Sequence, residues 1–396
     1  GLERTTYADF ARRTRQLAGV LDTLGVSADG RVATFAWNTA RHLELYFAAP
    51  CTGRVLHTLN IRLFPEQLTY IVNHADDEVI FVDRSILALL APLLHTFTNL
   101  KHLVLMDDGK GDIPDDLGGH TLLDYEELIA AEEPIDFPEI TDERRAASMC
   151  YTSGTTGMPK GVMHNFQNFQ AAFRMVLEQF DFLHQEVFLS YLPLSHVAER
   201  MIISAAGVYL TGRIHFVQSL DTFAKNLEEA QPTVFMAVPR IWEKFGETLH
   251  KKIPAAFLRR ALAPVLRKKL GLSRSRLVLS GAAPIRASLL TEFATLGIHI
   301  QEVYGMTENL GISTVNFRGK VKIGTVGQAF PGMNVTIGEG DEVLVQGPTC
   351  TQGYYKEPEK TAELFAGGAL HTGDCGKIDA DGYLTITGRI KDIFKT

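Results

Sequence analysis

Short apolar segments alternate with helix-like segments through the first hundred residues of this 396-residue chain. Helical spacing of apolar side chains over residues 7–24, stopped by Gly25, leads into a strand-like run at 31–37. The alternation continues with predicted helices at 42–49, 66–74 and 85–94, and predicted strands at 55–59, 78–83 and 102–106. Strands separated by helices of this length indicate a parallel sheet covered on both faces. The sequence therefore predicts an α/β fold.

The pattern resumes after a polar connection at residues 107–119. Further strands are predicted at 146–151, 187–192, 213–217, 233–238 and 277–280, and further helices at 165–180 and 222–230. From about Gly324 the strands become short and are punctuated by glycine, which indicates a small β-barrel-like subdomain. We therefore expect an α/β subdomain over 1–145, a second over 146–323 and a small β subdomain over 324–387.

Residues 151–161 read Tyr-Thr-Ser-Gly-Thr-Thr-Gly-Met-Pro-Lys-Gly and have the composition of a phosphate-binding loop. Glycines let the backbone approach an anion closely, while hydroxyls donate hydrogen bonds and Lys160 supplies a cation. A Walker loop is excluded because Lys160 is followed by Gly161 instead of Ser or Thr. The alternative is an ordinary surface loop rich in glycine and threonine. The candidate phosphate contacts are Thr152, Ser153, Gly154, Thr155, Thr156, Gly157 and Lys160.

A second motif, Val-Tyr-Gly-Met-Thr-Glu at residues 303–308, follows a predicted strand. Tyr304 offers a flat face for a purine, Thr307 a donor to a phosphate, and Glu308 an oxygen ligand for magnesium. Taken alone, the hexapeptide is equally consistent with a core tyrosine and a solvated glutamate. Upstream, small residues follow the apolar strand and would let an adenine ring lie against the backbone, unless they form only a turn. They are Gly281, Ala282, Ala283 and Pro284.

A third group of polar residues lies near the end of the chain, in Leu-His-Thr-Gly-Asp-Cys-Gly at 370–376 and in 387–395. The carboxylate of Asp374 suits both hydroxyls of a ribose, and the guanidinium of Arg389 suits a ribose or a phosphate. Exposed loop charges are the alternative for both residues.

In this order the motifs resemble those of the adenylate-forming superfamily, which includes acyl-CoA synthetases, luciferases and peptide-synthetase adenylation domains, over essentially the whole chain. The resemblance implies the large N-terminal domain of these enzymes, with two α/β subdomains, mainly parallel sheets and a small β-barrel-like subdomain. It implies a hinge at 388–396, centred on Lys391, to a C-terminal domain that we expect to be absent from this sequence. It further implies nucleotide contacts at Glu302, Val303, Gly305 and Lys395, and Mg2+ at Glu308 and Thr156.

The segment 190–200 resembles long-chain and bubblegum-type fatty acyl-CoA synthetases, as does 238–244. The resemblance implies that ATP and Mg2+ activate a fatty acid to acyl-AMP, and that coenzyme A then accepts the acyl group. Charging of a carrier protein, another acid such as an aryl or medium-chain acid, and non-catalytic ligand binding are the alternatives. His196 is expected near the substrate carboxylate, unless it is a core histidine. Candidate walls of the acyl site, each equally consistent with core packing, are Val197, Met201, Met236, Val238 and Trp242.

Composition limits the partners and the compartment. The net charge of −7 and the lack of a basic, aromatic-rich run argue against nucleic-acid binding. Four cysteines without Cys-x-x-Cys spacing indicate buried thiols and a reducing cytosol. The basic and apolar stretch 258–270 suggests either membrane-surface contact or, as the favoured alternative, a solvated helix. The partners expected are therefore small molecules, with peripheral membrane contact and a homodimer left open.

Overall fold

The computed structural model describes residues 3–152 and 157–393. Residue contacts divide the chain into two compact units. Unit 1 takes in the chain up to Phe169 together with Leu192–Arg200 and Thr351–Pro358. Unit 2 takes in Gln170–Tyr191, Met201–Cys350 and the chain from Glu359 onward.

Strands and helices alternate along most of the described chain. In chain order, the strands are β1 (Arg31–Phe35), β2 (Val55–Thr58), β3 (Asp77–Asp83), β4 (His102–Met106), β5 (Leu122–Asp124), β6 (Ala146–Thr152), β7 (Lys160–Asn165), β8 (Val187–Ser190), β9 (Arg213–Phe216), β10 (Val234–Ala237), β11 (Leu277–Ser280), β12 (Ile300–Tyr304), β13 (Thr314–Val315), β14 (Gln328–Ala329), β15 (Asn334–Ile337), β16 (Glu342–Gln346), β17 (Gly353–Tyr354), β18 (Leu370–Ile378) and β19 (Leu384–Arg389).

The helices cover much of the remaining chain. They are α1 (Tyr7–Thr23), α2 (Ala40–Cys51), α3 (Pro65–Ala75), α4 (Arg84–Leu90), α5 (Tyr125–Ala131), α6 (Phe166–Gln179), α7 (Val197–Glu199), α8 (Phe223–Ala230), α9 (Pro239–Lys252), α10 (Ala256–Ala261), α11 (Ala263–Lys269), α12 (Ala287–Thr295), α13 (Pro358–Leu364) and α14 (Ile390–Ile393). Short 3₁₀ segments lie at Ala91–Thr96, Thr307–Asn309, Glu339–Asp341 and Ala366–Gly368, and a π-helix lies at Arg200–Gly207.

Unit 1 is built on an eight-stranded sheet in the order β17-β7-β6-β2-β1-β3-β4-β5. The six strands from β6 to β5 run parallel, and β7 and β17 add an antiparallel edge. The core packs strand residues Phe35, Ile80 and Leu103 against Leu68 of α3 and Leu87 of α4. Because helices cover the parallel strands, β1, β3 and β4 are buried along nearly their whole length, as the continuous apolar runs in the sequence predict.

Unit 2 contains a seven-stranded sheet in the order β14-β13-β12-β11-β10-β8-β9, parallel from β12 to β9 with β13 and β14 antiparallel. Trp242 of α9 and Phe293 of α12 pack on Phe235 and Ile300 in its core. The strands β15-β16-β18-β19 form a separate four-stranded antiparallel sheet in the glycine-rich region. The predicted α/β class with mainly parallel sheets and a small β region is confirmed.

The structure differs from the sequence predictions in two places. One is a helix, and the other is the boundary between the first two predicted subdomains. The helix predicted over 85–94 ends at Leu90 and continues as a 3₁₀ segment, in which Pro92 lacks the N–H that a continuing α-helix would use. Strands β6 and β7, predicted to open the second subdomain at residue 146, belong to the sheet of unit 1. This follows from the parallel pairing of β6 with β2, which composition does not reveal.

No helix in the described part of the chain is both long enough and apolar enough to cross a membrane. Cys150 and Cys375 are buried, and Cys51 and Cys350 are half-buried.

Candidate active site

The two ends of the glycine-rich loop are held by the antiparallel strands β6 and β7. Thr152 lies opposite Lys160, and Tyr151 lies opposite Gly161. A Cβ at Gly161 would lie 3.0 Å from Cζ of Tyr151, so a side chain there would require the tyrosine ring to shift. The ammonium of Lys160 lies 4.7 Å from the ring centroid of Tyr354, in a cation–π contact. The structure thus places the loop's cation beside Thr152, while Ser153, Gly154, Thr155 and Thr156 lie outside the described residues, as does Lys395.

A buried polar cluster supports strand β6 just before this loop. The hydroxyl of Tyr151 lies 2.7 Å from Nδ1 of His74, and its ring lies 5.0 Å from the ring of His57. His57 and Asp77 are both fully buried, and Nδ1 of His57 lies 2.9 Å from each carboxylate oxygen of Asp77. Burial raises the pKa of Asp77, and the charge of His57 opposes that shift. Sequence reasoning missed this pair, because each residue stands alone in an apolar run.

In unit 2, the carboxylate of Asp374 contacts Tyr304 and Arg389, so three residues predicted from separate motifs lie together. The hydroxyl of Tyr304 donates to Oδ2 of Asp374 at 2.9 Å, and Nε of Arg389 donates to Oδ1 at 3.0 Å. Asp374 and Arg389 are cross-strand partners on β18 and β19, and the backbone N–H of Asp374 donates to Thr372 Oγ1. Burial, and next the charge of Asp374, raise the pKa of Tyr304. The carboxylate is therefore buried and fixed in orientation, with lone pairs that can accept further hydrogen bonds.

A second buried polar group lies at the carboxyl ends of β11 and β12, where Ser280 is the register partner of Glu302. Neither Ser280 Oγ nor Glu302 Oε2 has a hydrogen-bond partner among the residues that the structure describes. Burial raises the pKa of Glu302 to about 7. Orphaned buried oxygens at the carboxyl end of parallel strands fit a ligand that carries N–H or O–H donors, such as the amino group of a purine.

The small residues predicted to line the adenine site follow β11 directly. A Cβ at Gly281 would lie 2.7 Å from Cγ2 of Val303 and 2.9 Å from its carbonyl oxygen, so the two strands approach too closely for any side chain. Ala282 has a left-handed φ of 69°, and it is exposed together with Ala283 and Pro284. Nothing in the sequence distinguishes the buried hydroxyl of Ser280, at the end of β11, as a ligand group.

The hexapeptide at 303–308 forms a tight turn after β12. A Cβ at Gly305 would overlap the backbone of Gly311, and the 3₁₀ turn that follows contains Thr307 and the buried Glu308. Magnesium typically takes one or two carboxylates together with phosphate oxygens and water, so a single carboxylate here suits a metal–nucleotide complex. Within residues 3–152 and 157–393, no group of three or more His, Cys, Asp or Glu side chains forms a metal-binding cluster. The Glu308 carboxylate suits Mg2+ that phosphate oxygens also bind.

The acyl-site candidates fall into exposed and buried groups. His196, at the N-cap of α7 in unit 1, is exposed. The alternative that it is a core histidine is therefore wrong. Reduced solvation of its ring, and then the charge of Arg62, lower its pKa. The adjacent Val197 is half-buried. Exposure leaves the imidazole open to a ligand.

In unit 2, Met201 is buried in the π-helix, Met236 is buried on β10, and Val238 is half-buried. Trp242 is fully buried, and its Nε1 donates to the carbonyl of Ala237 at 3.2 Å. Phenylalanine rings pack edge-on around it, at positions 235, 245 and 293. Trp242 is therefore surrounded by core side chains, which corrects its interpretation as a wall of the acyl site. Lys391 is exposed on α14, two residues after Arg389.

The chain is similar to known enzymes along its whole length. Residues 1–355 match the family model of the AMP-binding enzyme. The chain is 32% identical to 3-methylmercaptopropionyl-CoA ligase of Ruegeria lacuscaerulensis, covering 99% of this chain and 74% of that protein. It is 31% identical to long-chain-fatty-acid–CoA ligase of Thermus thermophilus, covering 100% of this chain and 73% of that protein.

Among solved structures, ATP-bound MatB from Rhodopseudomonas palustris aligns with a TM-score of 0.79 and 27% identity, covering 98% of this chain and 74% of that one. The fold, the order of the motifs and the matched relatives agree with one another. The chain belongs to the AMP-binding enzyme family, the adenylate-forming enzymes that include the acid–CoA ligases.

Proposed function

We propose that this chain activates a fatty acid with ATP and transfers the acyl group to coenzyme A. The observation that carries the proposal is the Asp374 carboxylate, which Tyr304 and Arg389 hold in one orientation inside unit 2. A carboxylate with a fixed orientation and spare lone pairs is suited to accept both hydroxyls of a ribose. The polar residues of the other motifs also suit a nucleotide, and we assign them roles accordingly.

We assign the base-binding role to residues of β11 and β12. The backbone after Gly281 is free of bulky side chains, and the buried oxygens of Ser280 and Glu302 lack partners within the described chain. A protonated Glu302 both donates and accepts, because burial raises its pKa to about 7. The flat face of Tyr304 adds a stacking surface. Val303 and Gly305 complete this set as backbone contacts.

The phosphate-binding role goes to the glycine-rich loop and to Lys160, whose ammonium offsets phosphate charge. Thr307 adds a hydroxyl donor, and Glu308 is the carboxylate that would hold Mg2+ together with phosphate oxygens. When bound, Mg2+ neutralises negative charge on the phosphates. Thr156 and Lys395, which lie outside the described residues, stay predictions for the metal and the nucleotide.

The reaction has two steps. A carboxylate oxygen of the acid bonds to the α-phosphorus of ATP as the bond to pyrophosphate breaks, which gives acyl-AMP. The sulfur of coenzyme A then bonds to the acyl carbon, the thiol proton is lost, and AMP leaves with the electron pair of the anhydride bond. Neither step needs a protein nucleophile, so the protein's task is to orient the reactants and stabilise charge. Lys391 stays a proposed hinge for movement between the two steps.

A long-chain acid is the favoured substrate. The segment 190–200 supports it, as does a long-chain ligase among the relatives. His196 is the proposed contact for the carboxylate, since its ring is exposed and a neutral imidazole can donate one N–H hydrogen bond. Met201, Met236 and Val238 are proposed as apolar contacts of the acyl chain. The Ruegeria relative, which is named for a short thioether acid, makes a shorter acid the second candidate.

The test is a pyrophosphate-release screen on the full-length protein over acetate, 3-(methylthio)propionate, octanoate, palmitate and coumarate, with and without coenzyme A. Hydroxylamine traps the acyl-AMP, and mass spectrometry detects the acyl-CoA. We expect palmitate to give the highest kcat/KM, with hydroxamate formed without coenzyme A and thioester formed with it. A best rate with a shorter or aromatic acid would reject the long-chain assignment. Hydroxamate without any acyl-CoA would favour charging of a carrier protein, and no pyrophosphate with any acid would reject the ligase.

A further inference from the structure

Helices α10 and α11 of unit 2 form a bent helical segment that is apolar on two faces. The inner face packs Ala263, Leu266 and Leu270 against the core of the unit. The outer face projects four large apolar side chains into solvent: Phe257, Leu258, Leu262 and Val265, exposed by 73%, 43%, 42% and 57%. A helix that is apolar on both faces is normally buried on both. We call these four exposed residues the outer ridge.

The ridge is held outward by a buried charge. Arg259 lies on the inner side, where its guanidinium donates to the carbonyl oxygens of Ile253 at 2.8 Å and Pro254 at 2.7 Å. It also pairs with Glu292 at 3.2 Å. Turning the helix to bury the ridge would break these contacts and leave an unpaired charge, which is costly. The exposure of the ridge is therefore fixed by the packing of the helix.

The ridge lies in a strongly basic region of the chain. Between Glu247 and Glu292 there are ten lysines and arginines and no aspartate or glutamate, although the whole chain carries a net charge of −7. Lys269 pairs with Glu228. Four exposed basic residues form no ion pair with any other part of the described chain: Lys251, Lys252, Arg260 and Lys268. A partner for this surface must therefore be anionic.

We propose that residues 251–269 dock the protein on an anionic lipid bilayer, with the outer ridge in the interfacial layer and the basic side chains on the lipid phosphates. Aliphatic side chains beside lysine and arginine are the composition of helices that lie in a bilayer interface. A nucleic acid would gain little from leucine and valine, since it stacks on aromatic rings, and Phe257 is the one aromatic residue of the ridge. The inference stands apart from the proposed catalytic function.

Co-sedimentation with vesicles tests the proposal. Vesicles of phosphatidylcholine alone are compared with vesicles that contain equal parts phosphatidylglycerol, at low and raised salt. We expect binding to the anionic vesicles at least about tenfold stronger than to the neutral ones, and weakened by salt. Lys251→Gln with Lys252→Gln should weaken binding about fivefold for each charge removed. Phe257→Ser with Val265→Ser should abolish pelleting at the same lipid concentration.

Matched variants keep the test specific. Leu89→Ser removes an apolar side chain that is 59% exposed in unit 1, and Lys377→Gln removes an exposed lysine elsewhere in unit 2, so neither should change binding. Equal melting temperatures would show that all variants fold. As a second readout, Phe257→Trp should show a blue-shifted emission with anionic vesicles only.

Two outcomes would overturn the proposal. One is wild-type protein that stays in the supernatant with anionic vesicles, or binds neutral vesicles equally well. The other is binding that the Phe257 and Val265 change leaves intact, together with equal retention on soluble polyglutamate, since this would indicate an acidic protein partner.

Discussion

Asp374 is the residue on which the proposed nucleotide site depends most directly. Replacing it with alanine removes the proposed ribose acceptor and leaves Tyr304 and Arg389 without their shared partner. Since hydrogen bonds to a charged group contribute about 1.5–3 kcal/mol, we expect KM for ATP to rise about 10- to 100-fold in the pyrophosphate-release assay. Asp379→Asn is the matched control, because Asp379 pairs with Lys322 at 2.6 Å in the same unit. Unchanged KM for ATP in Asp374→Ala would argue against the ribose assignment.

Glu302 should make the stability of the fold depend on pH. Burial raises its pKa from 4.5 to about 7, so the folded state keeps a proton that the unfolded chain releases. The associated stabilisation is fully present below about pH 4.5 and is lost as the pH rises through about 7, a loss of about 3 kcal/mol. Glu302→Gln should remove this dependence in urea unfolding at about pH 5 and about pH 8.

Glu339→Gln, at an exposed position in the same unit, should unfold with the wild-type pH dependence. If Glu302→Gln and wild type lost stability equally between the two pH values, Glu302 would not be the group that titrates.

Individual motif residues were the part of the site most readily predicted from sequence. Tyr304, Asp374 and Arg389 come from three separated motifs, and the structure brings them into direct contact. The buried pair of His57 and Asp77 could not be predicted, because its contact depends on strand pairing and not on spacing along the chain. Trp242 was misassigned for a related reason: an apolar aromatic residue has the same sequence signal in a core as in a ligand site.

At the scale of elements, the close approach of β11 and β12 shapes the proposed base site. Gly281→Ala would force its Cβ against Val303, and overpacking of this kind costs about 1–3 kcal/mol. We expect a lower free energy of unfolding and weaker ATP binding, measured by urea unfolding and calorimetry. Gly388→Ala is the control, since a Cβ there meets no atom within 4 Å. Wild-type stability in Gly281→Ala would show that the strands can separate at little cost.

Sequence patterns predicted elements well wherever burial was uniform. The strands at 102–106 and 277–280 were placed to the residue, because fully buried parallel strands are continuous apolar runs bounded by polar residues. The antiparallel strands β7 and β17 and the π-helix Arg200–Gly207 were not predicted. Direction of pairing and helical hydrogen-bond register depend on partners distant in sequence, so local periodicity does not encode them.

At the scale of the whole molecule, nucleotide binding should raise the thermal stability of the folded protein. Binding that favours the folded state stabilises it by about 2.7 kcal/mol when the ligand is at about 100 times its Kd. We therefore expect ATP with MgCl2 to raise Tm by several degrees in thermal shift, and EDTA to reduce the rise because Glu308 then lacks its metal partner. Asp374→Ala should show a smaller rise at the same ATP concentration. An equal Tm with and without ATP would contradict nucleotide binding.

The path of the chain has a practical consequence for dissecting the protein. Residues 351–358 belong to unit 1, where Gly353–Tyr354 extends the sheet beside β7 and the Tyr354 ring lies under Lys160. A gene fragment that stops at Phe169 would encode the glycine-rich loop yet omit the aromatic ring that Lys160 contacts. No single cleavage point can yield unit 1 intact, so reconstitution from two expressed halves would need one half to donate its strand to the other.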